Sequence, residues 1–359
     1  VKSNFFLQLP LLVAMCLGNG SVEADQHSTA AQPEILKLLL WEDFFSPLLI
    51  DAWTRETGVT VEIIVFDSDD ERDLILTQDT VTPFDLLVIA SPAGDGFGEG
   101  GYLSRLDTAR LPNLRHLDPR WVKTCGAYSV PYAWGTMGIV YRQDKIAKPV
   151  SWKTLLSPDR HLSGHVSMLL DVTDTLAPAL AVLGYSLNTG QQRELESAWQ
   201  LLLQQSAHVL TYQYVYSSVG QKSAEKEIHA ALAYSGDQHG LNEMTDSGNW
   251  EYVVPEEGTY LWVDCLAISA RSEKQALALQ FLDYINEPER AGKNAEALGM
   301  TTANLAALAH TSAEYRADST LFPDAKLVNS GTTYEVLEDA NLRIRDRIIH
   351  SLRKHHESQ

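Results

Sequence analysis

Cysteine is scarce: this chain of 359 residues has three. Two lie beyond the N-terminal segment, Cys125 and Cys265, too few for a disulfide framework and without the spacing of a zinc site. An exported compartment would allow them to bridge, and two buried thiols fit the sequence equally well. Basic residues are also few, 28 Lys and Arg against 47 Asp and Glu, for a formal net charge of -19. Such a balance argues against nucleic acid and anionic membrane as partners and favours cations. Long apolar runs are missing after the N-terminus. The first one, Phe5 to Gly18, is interrupted by Gln8 and Pro10 and falls short of the roughly 18–20 residues that a spanning helix needs. With Lys2 before it and Val22-Glu23-Ala24 after it, this run reads as a secretory signal peptide over residues 1–24. Met15 is too bulky for the residue before a lipoprotein cysteine, which sets Cys16 aside. The expectation is a periplasmic protein that begins near Asp25.

About 335 residues remain after the leader, more than one hydrophobic core usually organises, so two domains are expected. Residues 36–40, 59–66 and 84–90 are short, apolar and β-branched, and Leu48 to Thr57 has helical apolar spacing that stops at Gly58. This is a βαβ opening. Further strands are expected at Tyr128–Pro131 and Gly138–Tyr141 around an aromatic turn, and at 250–254 and 260–268. Helices are expected at 177–183, 193–204, 223–232, 273–285, 288–298, 303–308 and 334–352. Strands alternating with helices give an α/β fold of mostly parallel sheets flanked by helices.

Three motifs invite chemistry and lose to simpler readings. Gly96-Phe97-Gly98-Glu99-Gly100-Gly101 matches G-x-G-x-x-G with Asp118 downstream, but Asp95 and Glu99 would repel a pyrophosphate, and a flexible loop is expected instead. Ser68 and Glu71 around Asp69-Asp70 make a helix-capping box rather than a metal loop. Ser235, Asp237 and His239 are the right types for a hydrolase triad, yet no G-x-S-x-G elbow is present. His355 and His356 read as a solvated tail. No enzyme activity, cofactor or metal site is expected.

More informative are acids and aromatics where strands give way to loops: Leu40 to Phe45, Tyr128 to Gly135, Asp171 with Asp174, Tyr234, and Trp262-Val263-Asp264. An ammonium loses hydration on burial, and only carboxylates and the negative faces of aromatic rings offset that loss. Carboxylates spaced along an aromatic-walled trough suit several ammonium groups joined by methylene chains. That pattern describes a polyamine site.

At these residues the chain resembles the periplasmic spermidine- and putrescine-binding proteins of polyamine importers, from about Ile35 to about Leu352. The resemblance is carried by Trp41, Tyr128 to Gly135, Leu183-Gly184-Tyr185-Ser186, Trp262 to Ile268, Asn304-Leu305-Ala306-Ala307 and Leu321-Phe322-Pro323-Asp324-Ala325. Within that family it looks most like the norspermidine-sensing branch. The resemblance implies two lobes joined by crossing strands, lobe one holding residues 33–138 plus 265–308 and lobe two residues 139–264 plus 309–359. It implies a ligand set of Trp41, Asp43, Phe44, Ser91, Asp171, Asp174, Tyr234, Trp262, Asp264 and Tyr334. Phe44 stands for a Tyr, Tyr234 for a Trp, Met300 for a Tyr and Tyr334 near a Gln, and Ala90-Ser91-Pro92 replaces a Ser and a Tyr. Norspermidine and spermidine differ by one methylene, about 0.8 kcal/mol of burial, so selectivity must come from how the amines register against the acids. The implied partner is a membrane-bound sensor protein coupled to cyclic-di-GMP, or else an ABC permease, with the receptor a monomer.

Overall fold

The computed structural model describes residues 34–358, apart from residues 43, 67, 79–82, 221–226 and 247 and the side chain of Asp70. The expected leader, Asp43 and the first residues of the helix expected at 223–232 lie outside the described residues.

The chain opens with β1 (Ile35–Leu40), α1 (Pro47–Thr57), β2 (Thr60–Val65), α2 (Asp69–Thr77) and β3 (Leu86–Ala90). Ser46 caps α1 by accepting from the Leu49 amide at 3.3 Å, Pro47 occupies the first turn where no N–H is needed, and Gly58 ends the helix at φ 74°. Ser68 caps α2 as expected, its Oγ accepting from the Glu71 amide at 3.2 Å. β1 pairs in parallel with β2 and β3, so Trp41, Phe66 and Ser91 all follow the same, carboxyl ends of the strands.

The glycine run corrects the expectation of a flexible loop, for Ala93–Glu99 is a helix, α3. A Cβ on Gly98 would stand 2.2 Å from the Tyr128 ring, and one on Gly94 2.9 Å from Ser129 Oγ. Glycine is needed there for close packing, not for phosphate. α4 (Pro119–Cys125) then leads into β4 (Ser129–Arg142), a single 14-residue strand where two strands and a turn were expected. The aromatic segment bulges instead of turning. Against β9 (Tyr260–Ile268) the register of β4 shifts between Pro131 and Ala133, where the missing N–H of proline is tolerated.

Between these strands lie β5 (Val166–Ser167), β6 (Val209–Thr211), β7 (Ala230–Tyr234) and β8 (Trp250–Val253), and β10 (Thr332–Thr333) comes after them. Residues 230–232 were expected to close a helix and are strand. Ala230 and Leu232 enter one core while Ala231 and Ala233 enter another, and this two-residue period overrides the helix preference of alanine. The helix expected from Tyr334 starts only at Asp339, which leaves Tyr334 extended beside β10. The helix expected at 303–308 is instead a 3-10 helix shifted by two residues, Leu305–His310.

The strand order is β2-β1-β3-β9-β4-β7-β5-β6, with β8 on β4 and β10 on β9. Outer strands pair in parallel, whereas β9 runs antiparallel to β3 and β4, and β4 antiparallel to β7 and β8. Helices flank this sheet in a two-lobed arrangement. One core gathers Trp53, Trp121 and Phe281 with Val130 and Leu266; a second gathers Trp152, Leu195 and Ile349 with Met137 and Tyr260. β4 and β9 therefore feed both cores and form the connection between them.

Cys125 and Cys265 are bridged, with Cα atoms 5.9 Å apart and 140 residues of sequence between them. The bond ties α4 to β9, one residue from Asp264. Closing so long a loop restricts the unfolded chain, so Cys125→Ser with Cys265→Ser should lower stability by about 2–4 kcal/mol in urea unfolding. An unchanged midpoint would show that the bridge is thermodynamically idle.

Candidate functional site

On the second lobe, the loop after β5 brings Asp171 and Asp174 together. Asp171 Oδ1 accepts from the amides of Thr173 at 2.7 Å and Asp174 at 2.8 Å, and its own amide donates to Thr175 Oγ1 at 2.8 Å. This turn fixes the loop and presents Asp174. Two tyrosines from distant segments converge on that buried carboxylate, Tyr234 donating to Oδ2 and Tyr334 to Oδ1. Tyr234 ends β7, and Tyr334 is carried in by β10 and stacks on Tyr260 with ring centroids 4.4 Å apart. Behind them, Asp237 Oδ2 accepts from Tyr214 at 2.6 Å and from the Tyr234 amide at 2.8 Å. Burial pushes Asp174 up to about 7 and the charge of Asp171 adds to this, while the two tyrosine hydrogen bonds pull the other way. Burial likewise raises Asp237 to about 6, opposed by its bonds from Tyr214 and Tyr234.

The crossing strand supplies Trp262 and Asp264, both half-buried. Trp262 meets Tyr234 edge to face at 6.3 Å, and its buried Nε1 has no hydrogen-bond partner among the described residues. Space for its ring comes from Gly135 opposite, where a Cβ would stand 2.4 Å from both the indole and Ser235 Oγ. Asp264 lies between Ala90 of β3 and Ala133 of β4, just past the carboxyl ends of the parallel strands, the usual ligand position in open α/β sheets. Its carboxylate receives no hydrogen bond from a described residue. Burial raises it to about 7, the charge of Asp69 adds to that, and Arg72 opposes it.

The first-lobe residues are less convergent. Trp41 packs on Phe66 at 4.2 Å, and Phe44, buried, packs on Tyr132 at 4.8 Å. Ser91 is buried, with Oγ donating to the Thr124 carbonyl at 2.9 Å and its amide to the Val263 carbonyl at 2.9 Å. Asp69 was read as part of a cap alone, yet its charge acts on Asp264 and also on Asp174. The sequence signal was present: α2 begins directly after the carboxyl end of β2, as Trp41 does after β1. Tyr260 and Tyr214 were missed because the contacts that bring them to the site, with Tyr334 and with Asp237, are long-range.

Among the described residues no three His, Cys, Asp or Glu side chains gather as a metal cage. The triad types are dispersed: His239 pairs with Asp318 at 2.6 Å, and Ser235 Oγ accepts from the Thr136 amide at 3.1 Å. A depression lined by Arg110, Glu273, Lys274 and Asp283 lies beside Glu34, at the opposite end of β1 from Trp41. It carries both signs of charge. What the acid cluster can do is receive cations: one carboxylate, Asp174, is buried and oriented by phenol donors, and the other, half-buried Asp264, has no hydrogen-bond donor among the described residues and lies near the Trp262 indole.

The profile described as bacterial extracellular solute-binding protein matches residues 49–323. The norspermidine sensor of Vibrio cholerae is 34% identical over 99% of this chain and 95% of its own length. The spermidine/putrescine-binding periplasmic protein of Escherichia coli is 28% identical over 89% of this chain and 90% of its own. Among solved structures, a putative spermidine/putrescine ABC transporter from Listeria monocytogenes superposes with a TM-score of 0.81, at 27% identity, covering 89% of this chain and 99% of that one.

The acid cluster predicts a pH dependence of stability. Asp174 and Asp264 rise to about 7 in the folded protein from an ordinary 3.8, so the folded state holds their protons more tightly than the unfolded one. Their contribution is most favourable below pH 4 and is lost as pH climbs toward 7. Urea midpoints of the ligand-free protein should fall over that window, and Asp174→Asn with Asp264→Asn should flatten the fall. A double variant that keeps the full slope would assign it to other groups.

Proposed function

Because the chain belongs to the bacterial extracellular solute-binding proteins, which bind solutes rather than transform them, we propose that it is a periplasmic polyamine receptor. Norspermidine or spermidine enters between the lobes, and the lobes close on it about β4 and β9. Residues 33–138 plus 265–308 form one lobe, and 139–264 plus 309–359 the other. The observation that carries this reading is the pair of carboxylates whose pKa is raised toward 7, buried Asp174 and half-buried Asp264, set beside Trp262. Secondary and terminal ammonium groups meet Asp171 and Asp174 at one end and Asp264 at the other, with the methylene chain against Trp262. Tyr234 and Tyr334 orient Asp174; Trp41, Phe44 and Ser91 complete the first-lobe wall, and Asp43 belongs to the ligand set by resemblance alone.

The closed receptor acts as a monomer and docks on a membrane-bound sensor protein that controls cyclic-di-GMP. The similarity over 99% of the chain to a protein named norspermidine sensor favours this use. Delivery to an ABC permease is the second reading, favoured by the relatives named for spermidine and putrescine binding.

Two outcomes follow. In titration calorimetry norspermidine or spermidine should bind while arginine and simple sugars do not. Asp264→Asn should cost about 2–5 kcal/mol of that affinity by leaving an ammonium desolvated without its charge partner. Asp346→Asn, an exposed acid on the C-terminal helix, should cost almost nothing; equal losses at both positions would mean that general acidity attracts the ligand.

Closure is read separately. Small-angle scattering should show compaction on adding norspermidine to wild type and none with Trp262→Ala, whose lost indole removes preference for the closed form. In cells, the variant should change cyclic-di-GMP output and leave polyamine uptake normal. Lost uptake with unchanged cyclic-di-GMP would move the protein to the importer.

A further inference from the structure

Asp237 is a half-buried carboxylate that the polyamine reading leaves without a role, one of the three residues whose types suggested a hydrolase triad. Its place follows from the sheet. β5 lies between β7 and β6 in the strand order, and its ladder with β7 stops at Ser167 opposite Ala231. At the end of β7 the Ser235 amide donates to the Thr136 carbonyl of β4 at 2.9 Å. Amides alternate between the two edges of a strand, so that of Tyr234 points to the other side, beyond the last residue of β5, where no strand carbonyl is left to receive it. Asp237 supplies the acceptor. Gly236, at φ 103°, turns the chain so that Asp237, the first residue of the helix Asp237–Thr245, returns its Oδ2 to that amide at 2.8 Å. The same oxygen accepts at 2.6 Å from the hydroxyl of Tyr214, which follows β6. One carboxylate oxygen thus joins the carboxyl ends of β7 and β6, the two neighbours of β5, and the loop that leaves β5 carries Asp171 and Asp174.

Resting on the polyamine reading, we propose that Asp237 is a positioning residue for the site: by holding the Tyr234 amide and the Tyr214 hydroxyl it fixes where the Tyr234 phenol meets Asp174, and it touches no ligand itself. Tyr234 is then held at both ends, by Asp237 at its amide and by Asp174 at its hydroxyl. Its ring also meets Trp262 edge to face at 6.3 Å, so its place sets the separation of carboxylate and indole that an ammonium and its methylene chain have to match. The acceptor matters here rather than the charge. Both donors are neutral and end on one oxygen, and no described residue donates to the other, so an asparagine carbonyl can do the same work.

The test is calorimetry with norspermidine on the full protein. Asp237→Ala strands two donors and should weaken binding by about tenfold, whereas Asp237→Asn should stay within about threefold of wild type. Tyr234→Phe should weaken binding as well, and adding Asp237→Ala to it should cost less than about threefold more, because Asp237 acts through that phenol. Should Asp237→Ala fail to fold, Asp237→Ala with Tyr214→Phe removes the acceptor and one donor together and takes its place. Equal losses for Asp237→Asn and Asp237→Ala would mean that the charge acts on the ligand directly. A further tenfold loss on top of Tyr234→Phe would mean that Asp237 acts apart from Tyr234. Either result, or wild-type affinity in a folded Asp237→Ala, overturns the inference while leaving the polyamine reading intact. A wild type that binds neither norspermidine nor spermidine overturns both.

Discussion

Two acids withdrawn from water, Asp174 fully and Asp264 in part, are the constraint on which the rest of this structure turns. Asp174 and Asp264 are both driven toward neutrality by burial, and neighbouring carboxylates add to the effect at each. Phenol donors from Tyr234 and Tyr334 ease the cost at Asp174, and at Asp264 the described residues provide no hydrogen bond at all. A site of this kind is held by the fold in a state that a cation improves. A polycation would relieve that unfavourable electrostatics on binding.

The scaffold that imposes this state is the pair of strands β4 and β9. Their alternating side chains fill both cores, the bulge at Tyr132 bends β4, and the disulfide holds β9 next to Asp264. The second-lobe acids are secured differently. There a short turn, two tyrosines and the β10 pairing position Asp174. Deeper in the same lobe, the buried Arg345 holds the carbonyls of Leu187 and Thr189, each at 3.0 Å. Each half of the proposed site is therefore held by its own contacts, and β4 and β9 connect them.

Elements with a clean local signature were legible in the sequence. α1 has its Ser cap, proline and terminal glycine, and β1, β2, β3, β8 and β9 are apolar runs whose lengths and boundaries match the structure to within two residues. Where the reading failed, a distant partner overrode local chemistry. Ala230 to Leu232 became strand because two cores claim alternate residues, and the glycine run became helix because Tyr128 and Ser129 press against it. Asp69 was legible as a cap and invisible as a neighbour of Asp264.

Taken alone, the sequence determined the composition of the site: an acidic chain whose carboxylates and indoles recur where strands end, residue types that suit ammonium groups whatever the fold. It also determined the α/β order, since apolar periodicity and capping act over a few residues. Only the tertiary structure decided that Cys125 and Cys265 bridge, that Tyr234 and Tyr334 share Asp174 while Asp264 is left without a donor, and that one oxygen of Asp237 joins Tyr214 to Tyr234. Each of those facts joins residues far apart in the chain. Their energies depend on burial and on charge in a low-dielectric interior, and neither exists until the lobes have packed.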